Sequence, residues 1–142
     1  MTITRVLVAH DAGARSFENH GPGKGLIALA TVDFEDGRRH VGELDADRSG
    51  RNRDQGAFEP GEDAKTHAIA FFAKELARDL GREFRAGAFA RLVLVAPPRF
   101  LGVLRAELDS LVTRAVIAAV PKALPRASIE ELRVHLGPHL AC

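Results

Sequence analysis

The sequence predicts an α/β fold, because strand-like apolar runs dominate its first quarter and helical periodicity appears only in its second half. Two apolar runs, residues 3–9 and 26–34, lie before residue 35, and between them is a short segment from Arg15 to Asn19 in which Phe17 is apolar. Turns that contain glycine separate these segments. After residue 68, apolar runs alternate with stretches in which apolar residues recur every three or four positions. Strands followed by alternating helices and strands are the pattern of a mixed sheet with helices packed on it.

The first three strands form a predicted meander. Residues 3–9 are a compact apolar run, residues 11–14 supply turn chemistry, and a second extended segment begins at Arg15, which makes a tight hairpin. Residues 26–34 are long enough for a helix, but their β-branched residues and glycine-rich flanks favour a third strand. The glycine-rich segment 21–25 is then the hairpin loop between the second and third strands.

A long polar loop is predicted for residues 35–65, because glycine and proline interrupt every regular pattern there. Its bases cluster between Arg48 and Arg53. The longest helix follows, with an apolar stripe from Ile69 to Phe84. On its other face, opposite charges lie three positions apart, and we expect two ion pairs there: Glu75 with Arg78 and Asp79 with Arg82.

The segment after this helix predicts a central strand that ends in two prolines. Residues 92–95 are all branched and apolar, which is typical of a strand covered on both faces. Pro97 and Pro98 cannot continue a sheet interior, whereas a proline suits the first turn of a helix. The turn at residues 96–99 therefore lies at the carboxyl end of the strand, the edge where α/β sheets tend to meet ligands and partners.

The remaining elements complete the order β-β-β-α-β-α-β-α. Leucines from Leu101 to Leu111 predict one helix, residues 115–120 predict a short strand, and Ser128 opens the last helix with a capping box to Glu131. This order matches the ribonuclease-H-like layout. Right-handed crossovers then favour a mixed five-stranded sheet of order 3-2-1-4-5 with flanking helices.

Length and composition predict one domain over residues 1–142 in a reducing cytoplasm. The chain is 46% hydrophobic, has a formal net charge of +1 and contains one cysteine, Cys142, so an internal disulfide is excluded. No apolar run is long enough for a secretion signal or a membrane span. We expect no membrane partner, no DNA and no cofactor, and any contact with RNA must come from a local patch. The oligomeric state is not predicted.

Two groups of residues have features of a metal site, but both favour a structural interpretation. Asp11 ends the first strand, where ribonuclease-H-like nucleases place a metal-binding carboxylate, yet the fourth strand offers no further acid. A turn role with an ion pair to Arg15 is favoured instead. His135, His139 and Cys142 have ligand spacing, but a Gly-Pro pair breaks the helix between them, and we expect a frayed terminus. No metal site is predicted.

The arginines after the double proline are candidate anion contacts. Arg99 follows the strand edge at a helix N-terminus, where a guanidinium can bind phosphate, and Arg105 lies further along the same helix. An ion pair of Arg105 with Glu107, Asp109 or a loop carboxylate is the alternative. His67, near the start of the long helix, is a candidate base, although a partly buried structural histidine is favoured.

Five segments resemble the bacterial family described as protein required for attachment to host cells, and together they cover essentially the whole chain. They are Asp11-Ala-Gly-Ala-Arg-Ser-Phe17, Asp47-Arg-Ser-Gly-Arg51, Phe71-Phe-Ala-Lys-Glu-Leu-Ala77, Leu92-Val-Leu-Val-Ala-Pro-Pro-Arg-Phe-Leu-Gly-Val-Leu-Arg105 and Lys122-Ala-Leu-Pro125. The most specific motif is Ala-Pro-Pro-x-x-Leu-Gly-x-Leu-Arg, at residues 96–105. The resemblance implies structural roles for six motif residues: Asp11, Arg15, Gly50, Pro97, Pro98 and Gly102. The chain departs from the family pattern at Ala123, where an aspartate is expected.

This family is in turn similar to the middle domain of archaeal and eukaryotic peptide-chain release factors, which implies a ribosome- or tRNA-directed origin. That domain carries a Gly-Gly-Gln loop before its long helix, where the glutamine positions water for ester hydrolysis. Gln55 lies in the corresponding region, but Arg53 and Asp54 stand where glycines would let the backbone approach a tRNA end. This departure argues against peptidyl-tRNA hydrolysis.

Two functions follow from the resemblance and the candidate residues. We favour a non-catalytic binding module that contacts ribosome, tRNA or another RNA through arginines of the loop and of the strand edge: Arg48, Arg51, Arg53, Arg99 and Arg105. The alternative is an esterase-like hydrolase of aminoacyl- or peptidyl-tRNA that uses Gln55 and His67, in the region of residues 48–67. Host attachment is a phenotype and not a mechanism, so it does not decide between them.

Overall fold

The structure is a computed structural model that describes residues 2–34 and 60–142. Its strands are β1 (Thr4–His10), β2 (Gly13–Asn19), β3 (Ile27–Asp33), β4 (Arg91–Val95) and β5 (Val116–Val120). They form one five-stranded sheet of order β3-β2-β1-β4-β5. β2 runs antiparallel to β1 and β3, whereas β4 runs parallel to β1 and β5. The predicted mixed sheet and its strand order are confirmed.

The described part of the chain contains four helices: α1 (Pro60–Arg85), α2 (Pro98–Glu107), α3 (Ser110–Ala115) and α4 (Ile129–Leu136). α1 begins at a proline, which suits the first helical position because its missing N–H needs no partner there. Residues 60–65, predicted as the end of the polar loop, therefore belong to this helix, and the rest of that loop prediction lies outside the described residues. The two ion pairs predicted on α1 are present, each at 2.9 Å.

The helix predicted over residues 101–111 is two helices, α2 and α3. The leucine spacing continues across the break, so the apolar pattern could not reveal it. α3 begins after Asp109, whose carboxylate accepts a hydrogen bond from the backbone N–H of Val112 at 2.9 Å. Arg85 of α1 binds the same carboxylate at 2.9 Å. The bond from Val112, together with Arg85, lowers the pKa of Asp109 below its usual value.

Helices cover both faces of the sheet, and two separate cores result. Leu92 and Leu94 of β4 belong to the core formed with α1, α2 and α3, while Val93 and Val95 belong to the core formed with α4. All four side chains have no exposed surface, which confirms the prediction of a central strand. The carboxyl ends of β1 and β4 are therefore held in place from both sides of the sheet.

A buried arginine links three elements of the fold. The Arg5 guanidinium of β1 pairs with Glu18 of β2 at 3.2 Å and with Glu83 of α1, and it lies 4.8 Å from the centre of the Phe89 ring. Glu18 also bonds to the His20 imidazole at 2.9 Å. Burial by itself raises the pKa of Glu18, but the hydrogen bonds from His20 and Arg5 outweigh burial and lower the pKa below its usual value.

The last residues of the chain are packed against the β2–β3 loop, so the prediction of a frayed terminus is wrong. The backbone N–H groups of Gly23 and Gly25 donate to the carbonyl oxygens of Ala141 and Cys142, at 3.1 and 2.9 Å. Both glycines have positive φ, a conformation that glycine adopts without strain. Leu140 and Cys142 are buried as a result. Residue spacing cannot predict a contact between segments so far apart in the sequence.

The substitution Arg5→Ala removes the cation that pairs with both glutamates. We expect the free energy of unfolding to fall by about 3 kcal/mol, because the buried cation is lost and the partly buried Glu18 carboxylate keeps only its bond to His20. Urea denaturation followed by circular dichroism measures this loss. The control is Arg78→Ala, which breaks an exposed pair on α1 and costs less than about 1 kcal/mol. Equal losses in the two variants would contradict the role of the buried charge.

Stability should decrease in acid, because the folded protein holds the pKa of Glu18 below its ordinary value of 4.5. The contribution of Glu18 is fully present above that value and is lost as the pH falls through the lower folded pKa. In Glu18→Gln, which cannot ionise, the free energy of unfolding should therefore change less between about pH 6 and about pH 3. Urea denaturation at each pH gives both profiles. Superimposable slopes for wild type and variant would refute this assignment.

Candidate functional site

The turn with the double proline lies at the carboxyl edge of the sheet, as predicted. The backbone N–H of Ala96 donates to the Val120 carbonyl at 3.1 Å, which joins the turn to β5. The Pro97 carbonyl accepts from the N–H of Leu101 at 2.8 Å, and Pro98 occupies the first position of α2. Alanine and proline side chains provide no acid, base or metal ligand. This part of the edge therefore offers shape and rigidity without reactive groups.

Arg99 connects this turn to the long helix. Its Nη2 donates to Thr66 Oγ1 of α1 at 2.7 Å, while the residue as a whole is exposed. The first turn of α2 contains no acidic residue. A guanidinium beside the positive end of a helix gives this corner a chemistry suited to anions. Sequence reasoning did not identify Thr66, because a single threonine in a helical stretch carries no spacing signal.

Arg105 and Gly102 extend this surface along α2. Gly102 is three residues from Arg99 and three from Arg105, and all three residues are exposed on α2. A Cβ atom at Gly102 would meet no other atom within 4 Å, so the space above the helix is open. The two arginines are separated by about 9 Å along the helix axis. We call the exposed surface of Arg99, Gly102 and Arg105 the arginine face of α2.

The acids closest to Arg105 in the sequence do not pair with it. Asp109 pairs with Arg85 and caps α3, and Arg105 forms no ion pair with any carboxylate in residues 2–34 or 64–142. Neither Glu107 nor Asp109 is therefore its partner. The loop carboxylates that were the remaining alternative lie outside the described residues.

Arg15 and Asp11 are not paired, contrary to prediction. The Arg15 guanidinium donates to the carbonyl oxygens of Leu124 and Ala127, each at 2.9 Å, and lies 5.4 Å from the Phe17 ring centre. It thereby holds the segment between β5 and α4 against β2. Asp11 is exposed in the turn after β1, with its carboxylate 4.0 Å from the His10 imidazole. Carbonyl acceptors so distant in sequence leave no motif by which this role of Arg15 could be predicted.

Of the two candidate catalytic residues, only His67 lies in the part of the chain that the structure describes. His67 is exposed at the start of α1, so the prediction of a partly buried histidine is wrong. Gln55 and Gly50 lie outside the described residues, as do the three loop arginines Arg48, Arg51 and Arg53. Among the residues that are described, no three His, Cys, Asp or Glu side chains are placed to hold a metal ion.

Comparison with protein-family models matches residues 5–136 to the family described as protein required for attachment to host cells. The chain belongs to this family. The match spans the arginine face of α2 and nearly the entire sheet of this host-attachment family member. A search of curated proteins gives no significant match. The family description names a role in host attachment and specifies no ligand, reaction or partner.

Over residues 2–34 and 60–142, no helix has the length and apolar composition needed to cross a membrane. The longest helix, α1, carries ion pairs on its exposed face and is amphipathic.

Proposed function

We propose that this host-attachment family member is a non-catalytic module of release-factor ancestry that binds RNA, in the ribosome or as tRNA. The observation that carries the proposal is the arginine face of α2, where Arg99 and Arg105 stand on either side of an open glycine position. Guanidinium groups bind phosphate oxygens through paired N–H donors, and they keep their charge at every physiological pH. A surface of this kind suits a sugar-phosphate backbone.

Local charge supports RNA as the partner although the whole chain is almost neutral. The formal net charge is only +1, so attraction to a polyanion must arise from a patch. α2 carries two arginines and a single acid, Glu107, which is the last residue of the helix. Its amino-terminal end adds a partial positive charge close to Arg99. The loop arginines Arg48, Arg51 and Arg53 belong to the proposed surface on sequence grounds alone.

The chemistry of the sheet edge supports binding without catalysis. Nucleases with a ribonuclease-H-like layout need carboxylates on neighbouring strands, whereas here β4 ends in Ala96, Pro97 and Pro98. The rigid turn instead fixes the direction of α2, and the bond from Arg99 to Thr66 fixes α2 relative to α1. Orientation of cationic side chains on a stiff frame is what a docking surface requires. A cytoplasmic location, where ribosomes and tRNA occur, is part of the same proposal.

The substitution pair Arg99→Ala with Arg105→Ala should weaken binding to deacylated tRNA or to ribosomal subunits about tenfold or more at low salt. Each lost phosphate contact should also reduce the slope of log K against log salt by about 1. Fluorescence anisotropy over a salt series measures both quantities. The matched control is Arg78→Ala with Arg82→Ala, which removes the same charge from exposed arginines that pair with acids on α1.

Two outcomes would overturn the RNA-binding proposal. Wild-type protein that fails to bind either RNA at low salt has no such function. Equal weakening by the α2 pair and by the control pair would mean that net charge, and not the arginine face of α2, determines binding.

A hydrolase of aminoacyl- or peptidyl-tRNA is the second candidate, and the exposure of His67 one residue from Thr66 favours it. An exposed imidazole next to an RNA-binding corner could act as a base toward an ester. Gln55 would position the water by analogy with the release-factor loop. This candidate would bind RNA through the same surface as the first, and it would in addition hydrolyse the ester.

Release of labelled amino acid from aminoacyl-tRNA distinguishes the two candidates. For a non-catalytic module, wild-type protein should release label no faster than buffer alone. The variant Gln55→Ala with His67→Ala serves as the comparison. If the wild type releases labelled amino acid and the variant does not, the protein is a hydrolase and the first proposal is refuted. If both proteins release it at the same rate, Gln55 and His67 take no part in the reaction.

A further inference from the structure

A small cleft of about 180 Å³ lies at the end of the sheet opposite the double proline. Its lining includes Asn19, the last residue of β2, and Arg91, the first residue of β4. Pro22 of the β2–β3 loop, Ile117 of β5 and residues 139–141 complete the lining. All of these residues lie in the described part of the chain.

A row of polar side chains crosses three neighbouring strands beside this cleft. Thr4 of β1 lies opposite both Asn19 and Arg91. Thr4 is 0% exposed and Asn19 is 1% exposed. Asn19 Nδ2 donates to the Gly25 carbonyl at 2.8 Å, and Thr4 Oγ1 accepts from Arg91 Nε at 3.2 Å. The buried row therefore holds the Arg91 guanidinium by its Nε end.

The Arg91 guanidinium keeps donors that the fold does not use. The arginine is partly buried, and within the described residues its side chain makes no hydrogen bond besides the one to Thr4. No carboxylate in that part of the chain pairs with Arg91, whereas the buried Arg5 pairs with two glutamates. Withdrawing a cation from water without an anion costs free energy. An anion bound in the cleft would offset this cost.

His139 supplies a second basic group to the lining. The residue is exposed, and its imidazole forms no hydrogen bond with the described residues. None of the lining residues is acidic. A guanidinium binds an oxyanion through paired N–H donors, and an imidazole can donate a further hydrogen bond. The cleft thus has the chemistry of an oxyanion site.

The size of the cleft suits a small ligand. Pockets for drug-sized molecules have volumes of about 300–1,000 Å³, whereas a cavity of about 150 Å³ holds benzene. One wall is Ile117, which has no partner in β4 because the register shifts between Leu92 and Val93. Such bulges redirect a side chain and often lie next to functional sites. The space is sufficient for a phosphate group with a small substituent.

We propose that this cleft binds the phosphate group of a small molecule, with the Nη donors of Arg91 on two oxygens and His139 on a third. Phosphate carries more negative charge than a carboxylate and offers more acceptor oxygens, which matches two basic groups. The site is independent of the proposed RNA-binding surface, because Arg91 begins β4 whereas α2 follows the other end of that strand. Five residues of β4 separate the two sites by about 17 Å.

An NMR titration of the full chain with inorganic phosphate tests the proposal. In the wild type, the backbone amide resonances of residues 139–141 should shift and saturate at millimolar phosphate. Arg91→Gln removes the charge but keeps a side-chain donor for Thr4, and it should raise the dissociation constant about tenfold or more. The matched control is Arg126→Gln, at an exposed position outside the cleft, which should leave the constant unchanged.

A second variant does not depend on how well Arg91→Gln folds. His139 is exposed, so His139→Glu should keep the fold and place an acid in the cleft. It should also weaken phosphate binding about tenfold or more, because the added carboxylate repels the anion. Val134→Glu on α4, which is 76% exposed and outside the cleft, should not weaken it. Urea denaturation shows whether each variant is folded.

Several results would overturn the proposal. Amide resonances of residues 139–141 that do not respond to phosphate would exclude the site. Equal weakening by Arg91→Gln and Arg126→Gln, or by His139→Glu and Val134→Glu, would show that net charge alone determines binding. Acetate that binds as tightly as phosphate would assign the cleft to carboxylates.

Deacylated tRNA separates this site from the RNA-binding proposal. Arg91→Gln should bind tRNA as tightly as the wild type does. An equal loss of affinity for tRNA and for phosphate would make the cleft part of an RNA surface and would overturn the small-molecule site. A wild type that binds phosphate in the cleft but no tRNA would refute the RNA proposal and support this one.

Discussion

The central strands β1 and β4 are parallel neighbours with apolar side chains on both faces, and most of the architecture depends on this constraint. Such a pair must be covered twice, so α1, α2 and α3 pack on one face and α4 on the other. A parallel connection also requires a crossover, which α1 supplies between the strand meander and β4. The outer strands are free of this requirement. Among the described strands β3 pairs with β2 alone, and all seven of its residues are exposed.

The features that sequence predicts well are those whose signal is local. Period-2 and period-3.6 patterns, the double proline and the Ser128 capping box identified the sheet order, α1, the strand-edge turn and the start of α4. The break between α2 and α3 was missed, because the leucine spacing runs through it and only the cap at Asp109 marks it. A side chain that caps a new helix competes with continuation of the preceding one. Which of the two forms depends on tertiary partners of the capping side chain, such as Arg85.

The partners of charged residues were predicted poorly, and the reason is distance along the chain. Arg5 pairs with Glu83, which is far from it in the sequence. Arg15 likewise donates to the distant carbonyls of Leu124 and Ala127. Spacing rules apply within a helix or hairpin, as the ion pair of Glu75 and Arg78 shows. For Arg105, both a ligand and an ion pair were consistent with the sequence. Asp109, one of the proposed partners, pairs with Arg85 instead, while the loop carboxylates lie outside the described residues.

The arginine face of α2 takes its position from the middle of the sheet. α2 follows β4, whose residues from Leu92 to Val95 are buried on both faces. Pro98 begins the helix shortly after this strand, and the bond from Arg99 to Thr66 joins it to α1. β2 and β1 separate β4 from the β3 edge, so about 14 Å of sheet lies between them. A ligand on the arginine face would therefore meet side chains whose backbone is supported by both cores of the molecule.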